Sequence, residues 1–196
     1  MKESPILMSA LMVIATLAET KTQTRRIVKL YGHDGLQNDH ALWRFCEFNG
    51  EKAVWQHRED ISRVITEKCR HGNPGDHLWV KETWKMNTPP SGVLYRADAN
   101  SQFVKGPWKP SIFMFRWASR ITLEITDVRI ERLQDISEED CIAEGIVLLN
   151  GRYTFNGGLH ESRTAKESYR ALWEVINGAG SWELNPYVFA ISFRKI

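Results

Sequence analysis

The chain begins with an apolar run that predicts a buried helix. Residues 6–18 read ILMSALMVIATLA, without a charged side chain. Ser9 can cap a helix that is predicted to end near Thr20, and its apolar faces favour burial on most sides. The following KTQTRRIV segment, residues 21–28, favours a strand because threonine and isoleucine prefer extended backbone.

Four later segments are predicted to be strands from the alternation of apolar and polar residues. They are 78–82, 92–98, 119–133 and 186–196. A Pro74-Gly75 pair suited to a type II turn precedes the first of them. In the longest, the apolar positions change parity after Ile125, which predicts a bulge near Thr126-Asp127.

Two helices are predicted in the second half of the chain from capping residues. Ser137 begins one with Asp140 at the capping-box position, and Gly145 stops it. Thr164 and Glu167 form the capping box of the other, which ends at Asn177-Gly178. The second helix carries an apolar stripe made of Ala165, Tyr169, Leu172, Trp173 and Ile176.

Residues 31–68 show no sustained periodicity and are predicted to be a long loop insertion. Elsewhere strands and helices follow one another without the regular alternation of a parallel α/β fold. The prediction is therefore an α+β fold, with a curved mixed sheet and packed helices, in one domain spanning 1–196.

Composition narrows the class of partner. The chain has 196 residues, a net charge of +2, and 8 Trp and 8 Phe. Such a small net charge means that nucleic-acid affinity has to come from a local basic patch. The aromatic residues can fill a core, stack on bases, or do both.

The cysteines and the apolar run bear on location and cofactors. Three widely spaced cysteines do not resemble a disulfide framework, which favours a reducing, cytoplasmic location. Cys69, His71 and His77 fit no standard zinc spacing, so no metal or other cofactor is predicted. Lys2 and Glu3 cancel in the leader, and thirteen apolar residues are too few to span a bilayer, so neither a signal peptide nor a membrane partner is predicted.

The segment ETKTQTRR, residues 19–26, is the first candidate site. As a strand, it places Thr22, Thr24 and Arg26 on one face with Lys21 at the adjacent turn. As a helix, it would align Lys21, Thr24 and Arg25 instead. Either conformation brings a hydroxyl and a cation together, although spacing alone favours a plain polar helix exit.

These motifs, in this order, resemble the ASCH family, and a phage and prophage branch of it most of all. The resemblance covers almost the whole chain. It is carried by KTQTRR (21–26), GDHLWVKETW (75–84), YRAD (95–98), RWASRITLEITDVRIERLQDISEEDCIAEGI (116–146) and NPYVFAISF (185–193).

The resemblance implies a PUA-like fold, which is a small mixed β-barrel flanked by helices, with a cleft for RNA or a nucleoside. It also implies three possible activities: deacylation of N4-acetylcytidine by an amidohydrolase, non-catalytic RNA binding, or ribonuclease action. The family's catalytic Lys, Thr and Glu fall on Lys21, Thr24 and Glu144. The chain departs from the family pattern at Glu19, where Gly is common, and at Phe115, where Pro is common.

The chemistry of these three residues leaves several roles open. Thr24 is suited to act as a nucleophile or to position a water. Lys21 would be a base if its pKa is lowered, as neighbouring arginines favour, or an oxyanion stabiliser if it stays charged, as a nearby Glu19 carboxylate favours. Glu144 would hold the lysine or move a proton, and a solvent-facing role is equally compatible with its place at a helix end.

A second candidate element is KGPWKPSIFMFRWASR, residues 105–120, which interleaves rings with cations in the manner of single-stranded RNA sites. Glu82 adds a carboxylate on an otherwise apolar strand face. The expected partner is a nucleoside or single-stranded RNA. The predicted binding residues are Thr22, Arg25, Arg26, Glu82, Trp84, Arg116, Trp117 and Arg120.

Overall fold

The structure is a computed structural model that describes residues 1–30, 42–87, 92–155 and 160–196. Strands from both ends and from the middle of the chain make up most of it. The strands are β1 (Glu3–Leu7), β2 (Gln23–Ile27), β3 (Trp43–Phe48), β4 (Lys52–His57), β5 (Val64–Lys68), β6 (His77–Lys81), β7 (Trp84–Met86), β8 (Val93–Tyr95), β9 (Thr122–Arg132), β10 (Val147–Leu149), β11 (Arg152–Thr154) and β12 (Tyr187–Lys195). The α-helices are α1 (Ala10–Leu17), α2 (Glu138–Ala143) and α3 (Ala165–Asn177), and short 3₁₀ turns cover Ala99–Phe103, Ser111–Phe113, Arg116–Ala118 and Leu133–Asp135. The fold is α+β, as predicted.

The main sheet has five strands in the order β1-β6-β9-β12-β2. Only the β1–β6 pair is parallel. β9 and β12 pair along most of their length, and the register skips Thr126 between the pairs Ser192–Asp127 and Phe193–Ile125. The predicted bulge near Thr126-Asp127 is therefore confirmed.

The main sheet curls, but its described strands form an open sheet rather than the closed barrel implied by the resemblance. No backbone ladder joins the edge strands β1 and β2 within the described residues. The Arg26 guanidinium on β2 nevertheless donates to the carbonyl of Leu7 on β1 at 2.8 Å. A flat sheet would hold these strands about 19 Å apart, so the sheet must curve strongly. β1 ends at Leu7, and Ser9 then begins α1 as its N-cap.

The predicted loop insertion at 31–68 is wrong for residues 43–68, and residues 31–41 lie outside the described part of the chain. Residues 43–68 form the antiparallel sheet β3-β4-β5. A register shift between Phe45 and Glu47 interrupts the period-two pattern, which explains why no periodicity is visible in the sequence. Trp55 is fully buried and packs edge-on against Tyr187 of β12 at 4.7 Å, which joins this sheet to the main one.

Two apolar clusters lie on opposite faces of the main sheet. One contains side chains of β1, β4, β6, β9 and β12, and the other contains α2, α3 and the segments around them. β12 contributes to both, because Val188 belongs to the helical cluster whereas Phe189 and Ile191 belong to the strand cluster. No helix of the described residues is long and apolar enough to cross a membrane.

The predicted helix caps are confirmed, but the predicted burial of α1 on most sides is wrong, because Leu11 and Ile14 are each 48% exposed. Ser9 caps α1, Ser137 caps α2, and Thr164 and Glu167 form the predicted capping box of α3. The apolar stripe of α3 is narrower than predicted, because Ile176 is 48% exposed. Ser168 takes a fully buried place on that face.

Glu19, which stands where the resemblance leads us to expect glycine, adopts a glycine-like conformation. α1 ends at Leu17 rather than Thr20, Ala18 is its C-cap, and Glu19 follows with a φ of +59°. The helix therefore ends in a left-handed turn despite the side chain. Such a conformation strains a residue that has a Cβ atom.

We expect Glu19→Gly to raise the free energy of unfolding by about 0.5–1 kcal/mol, because glycine adopts a left-handed backbone without steric cost. The surface ion pair between Glu19 and Lys195 would be lost, at little energetic cost for an exposed pair. Urea unfolding of the purified variant measures the change. Glu19→Ala is the control, because it removes the ion pair but keeps the strained Cβ, and equal stabilisation by both variants would contradict the explanation.

Candidate functional site

The Lys21 side chain is buried at the start of β2, with the residue only 2% exposed. Its ammonium nitrogen donates to the carbonyls of Gln23 and Glu144, each at 2.8 Å, and to Oε2 of Glu144 at 2.7 Å. These three acceptors use all three N–H groups of a charged lysine. The structure thus brings together two of the three predicted catalytic residues, Lys21 and Glu144.

The end of α2 positions Glu144 against Lys21. The Thr22 amide donates to the carbonyl of Ala143 at 2.8 Å, which docks the start of β2 onto this helix end. Gly145 then turns the chain with a φ of +101°, and a Cβ there would lie 3.5 Å from Cβ of Lys21. Because the lysine charge lies at the C-terminus of α2, it offsets the unfavourable position of the Glu144 carboxylate relative to the helix dipole.

Arg25 is held in place by a set of acidic and amide groups. Its guanidinium donates to Glu131 at 2.8 Å, to the side chain of Gln23 at 2.6 Å and to Asp140 at 2.8 Å. A longer contact of 3.4 Å reaches Oε1 of Glu144. Every direction of the guanidinium fork is occupied, so Arg25 organises the carboxylates instead of presenting a free cation to a ligand.

Arg129 extends the same network on the outer side. It bridges Glu131 at 3.0 Å and also contacts Asp140. Three carboxylates (Glu131, Asp140 and Glu144) thus face three cations (Lys21, Arg25 and Arg129). This charge balance allows so many ionised groups to lie in one partly buried cluster.

The environment of Lys21 shifts its proton affinity downward. Burial lowers the pKa of Lys21, and the adjacent Glu144 carboxylate opposes that effect. Glu19 does not take part, because its carboxylate pairs with Lys195 at 2.9 Å. The expected upward influence of Glu19 on the lysine is therefore wrong, since the left-handed turn directs its side chain outward.

Thr24 lines a small cavity of about 60 Å³ together with Arg25, Arg26 and Glu144. The residue is 2% exposed, and its hydroxyl has no hydrogen-bond partner in the described ranges. Met12, Tyr169, Leu172 and Trp173 give the cavity an apolar wall. Oε1 of Glu144 has only two long contacts, both 3.4 Å, to Arg25 and to the Tyr169 hydroxyl. Thr24 and Glu144 therefore line the same small cavity.

A larger cavity of about 280 Å³ adjoins the small one and shares Arg26, Ile27 and Asn177 with it. The other wall comes from the end of β5 and the turn after it, where Glu67, Lys68, Arg70 and His71 lie. The three-stranded sheet, unforeseen in the sequence, therefore builds one side of this cavity.

His71 is the neutral member of that wall. Burial lowers the pKa of His71 to about 4, and the positive charge of Arg26 adds to the effect. An imidazole that is uncharged at neutral pH can donate one hydrogen bond and accept another. No group of three or more His, Cys, Asp or Glu side chains that could hold a metal ion occurs within the described residues.

The remaining predicted binding residues lie in a second group that no described contact links to Lys21. Glu82 is 1% exposed and takes two hydrogen bonds from Arg120, at 2.9 and 3.0 Å. Arg116 pairs with Glu3 in the same two-bonded way, at 3.1 and 3.2 Å. Trp84 is buried and Trp117 is exposed. Arg116 and Arg120 thus connect segments of the fold through their ion pairs with Glu3 and Glu82.

Thr22 and Arg26, the last two predicted binding residues, lie on different cavities. Thr22 is exposed and lines a separate cavity on the side of Glu19, so it does not share the Thr24 cavity. Arg26 lines both cavities described above.

The sequence analysis missed Gln23, Glu131, Asp140 and Tyr169 as parts of the site. Two local patterns carry a signal. Asp140 and Glu144 are four residues apart, the spacing of one helix face, and Gln23 and Arg25 alternate on one face of β2. Neither pattern reveals that the two faces meet.

Removing the lysine charge should destabilise the protein strongly. We expect Lys21→Met to lower the free energy of unfolding by about 3–5 kcal/mol, because the buried Glu144 carboxylate would lose its main partner. The double variant Lys21→Met/Glu144→Met should cost less than the sum of the two single changes by at least about 1 kcal/mol. Urea unfolding of the four proteins gives this coupling energy.

The exposed pair Lys68–Glu51 provides a matched control, because the two side chains are 58% and 52% exposed. The corresponding cycle with methionine at both positions should give a coupling close to zero, because solvent and salt screen an exposed pair. Equal coupling in the two cycles would contradict the assigned role of burial.

His71 predicts a pH dependence of stability. Its pKa falls from the usual 6.5 to about 4 on folding, so the stabilising effect is full above pH 6.5 and declines as the pH falls towards 4. Between about pH 7.5 and about pH 5 the loss should be about 2 kcal/mol. His71→Asn should lack this part of the decline, and identical pH profiles for the variant and the unaltered protein would refute the assignment.

Comparison of the chain with protein-family models, curated proteins and solved structures gives no match.

Proposed function

We propose that the protein is an amidohydrolase that removes a small acyl group from the N4 amine of a modified cytidine, with a PUA-like ancestry of its curled sheet. The observation that carries this proposal is that Thr24, whose hydroxyl has no hydrogen-bond partner within the described residues, and Glu144 line the same small cavity. Amide hydrolysis needs a nucleophile, a proton acceptor and stabilisation of developing charge.

Lys21 is assigned a positioning role in this proposal. Its three hydrogen bonds leave no lone pair with which to accept a proton. It instead fixes Oε2 of Glu144, and Oε1 has only the two 3.4 Å contacts, to Arg25 and Tyr169, within the described residues. The lowered pKa of Lys21 makes its proton easier to donate during turnover than that of an exposed lysine.

The reaction is written in two halves. The Thr24 oxygen bonds to the acyl carbon while Glu144 takes the hydroxyl proton, and the carbon–N4 bond then breaks as that proton passes to the departing amine. Water next attacks the acyl-threonine, gives a proton to Glu144, and releases the acid as the threonine hydroxyl is restored. The net change is the acylated cytidine plus water giving cytidine and a carboxylic acid.

The sizes of the two adjoining cavities support this division of the substrate. A volume of about 60 Å³ equals about two water molecules, which suits an acetyl group. The adjoining volume of about 280 Å³ is close to the lower end of the usual range for small-molecule sites, which is about 300 Å³. The apolar wall of the small cavity would hold the acyl methyl, and the larger cavity would hold the base and the sugar.

The cations of the larger cavity support RNA binding without catalysis as a second candidate. Arg26, Lys29, Lys68 and Arg70 all line it, and phosphate contacts of this kind weaken as the salt concentration rises. Salt-sensitive binding of RNA without turnover would favour this candidate, and strand cleavage would favour a ribonuclease.

The test is release of cytidine from N4-acetylcytidine, measured by liquid chromatography. Thr24→Val keeps the shape of the side chain but removes the hydroxyl, and it should lower kcat by about a hundredfold or more. Thr24→Ser keeps the hydroxyl and should retain most of the activity.

Circular dichroism and urea unfolding would establish that both Thr24 variants are folded. Turnover that survives Thr24→Val would exclude threonine as the nucleophile. Turnover that survives the double change Lys21→Ala/Thr24→Ala would contradict the roles proposed for both residues.

A further inference from the structure

Three aromatic rings form an ordered group that is separate from the Lys21 site. Trp84, at the start of β7, is 1% exposed. It stands nearly perpendicular to Phe115 (6.4 Å between ring centres, 82°) and to Trp117 (5.8 Å, 89°). We call Trp84, Phe115 and Trp117 the ring platform.

The two outer rings are exposed. Phe115 is 59% exposed and Trp117 is 64% exposed. Their planes differ by only 11° and their centres are 6.3 Å apart. This distance lies within the range of about 4.5–7 Å found for offset-stacked aromatic pairs.

The backbone holds these rings outward instead of leaving them on a loose loop. Met114 and Ala118, the neighbours on either side, are 2% and 1% exposed. Ser119 donates to the carbonyl of Val80 at 2.8 Å, and the ion pair between Arg116 and Glu3 holds the 3₁₀ turn from the other side. Exposure of two large rings on an anchored segment is unfavourable unless something else covers them.

Within the described residues, Lys81 and Lys109 lie beside the platform without carboxylate partners, and the Lys81 ammonium donates to the carbonyl of Ile112. Lys81 and Lys109 line a concavity of about 570 Å³ with Phe113 and Phe115. Lys109 also lies over the Trp84 ring, at 5.0 Å from its centre. Within the described ranges neither lysine forms an ion pair, whereas the nearby Glu3, Glu82 and Asp98 are each paired with an arginine. The surface charge next to the rings is therefore positive.

We propose that the ring platform binds single-stranded nucleic acid, by stacking of bases on Phe115 and Trp117 and by contacts from Lys81 and Lys109 to the phosphates. Ring faces beside unpaired cations fit a strand that alternates planar bases with anionic phosphates. This site goes beyond the proposed hydrolase function, since it shares no residue with the Lys21 network or its two cavities.

Stacking on ring faces can be distinguished from burial of any apolar surface. Phe115→Leu/Trp117→Leu retains apolar side chains but removes both π faces. With a labelled oligouridine of about twelve nucleotides, this variant should bind about tenfold more weakly or worse, because each stacked base contributes strongly to affinity. Phe103→Leu is the matched control, since Phe103 is 75% exposed but belongs to no described ring pair, and it should bind normally.

The charged part of the site is tested by the salt dependence of the same binding. Lys109→Gln should reduce the slope of log affinity against log salt by about 0.7, whereas Phe115→Leu/Trp117→Leu should leave that slope unchanged. Inorganic polyphosphate, which has the charge but no bases, should bind the Leu variant as well as the unaltered protein.

Three results would overturn the proposal. They are no oligouridine binding by the unaltered protein at low salt, binding that is unchanged in Phe115→Leu/Trp117→Leu, and a dimer in solution that this variant dissociates. The last result would identify the platform as a contact between two copies of the chain. Thr24→Val should retain oligouridine binding, so failure of the hydrolase proposal is observed separately.

Discussion

The buried ion pair between Lys21 and Glu144 is the interaction on which the site depends. Its two members are 123 residues apart in the chain and 2.7 Å apart in the structure. Removing both charges from water has a large cost that only close contact and additional hydrogen bonds offset. The Lys21 ammonium meets that requirement with three acceptors, and Arg25 brings Glu131 and Asp140 into the same network. The start of β2, the end of α2 and the middle of the main sheet are thereby held in one arrangement.

This arrangement determines which groups remain for chemistry. Lys21 and Arg25 have their donors occupied, whereas Thr24 and Glu144 both line the small cavity. A rigid set of paired charges can hold such groups ready without reorganisation during a reaction. In the proposed hydrolase the network of paired charges holds the reacting groups in place, and the reaction occurs in the small cavity.

The cationic side chains of this protein differ in whether a carboxylate pairs with them. Arg25, Arg116 and Arg120 were predicted to bind a ligand, yet each is engaged by carboxylates that hold strands and turns together. The lysines beside the ring platform lack such partners, which leaves them available for phosphate. A cationic side chain is available to a ligand only when no acidic side chain pairs with it in the folded protein. Whether such a pair forms depends on contacts between segments that are distant in the chain.

The sequence by itself determined the local features of this protein: the caps at Ser9, Ser137 and Thr164, the bulge at Thr126, and an α+β mixture of strands and helices. These follow from backbone geometry and hydrogen bonding within a few residues, so short patterns are enough to predict them. Only the tertiary structure decided that residues 43–68 form a sheet, that the main sheet stays open at β1 and β2, and that Glu144 meets Lys21. The physical reason is that burial and ion pairing act between segments far apart in the chain, where the period of a local pattern carries no information about which faces will meet.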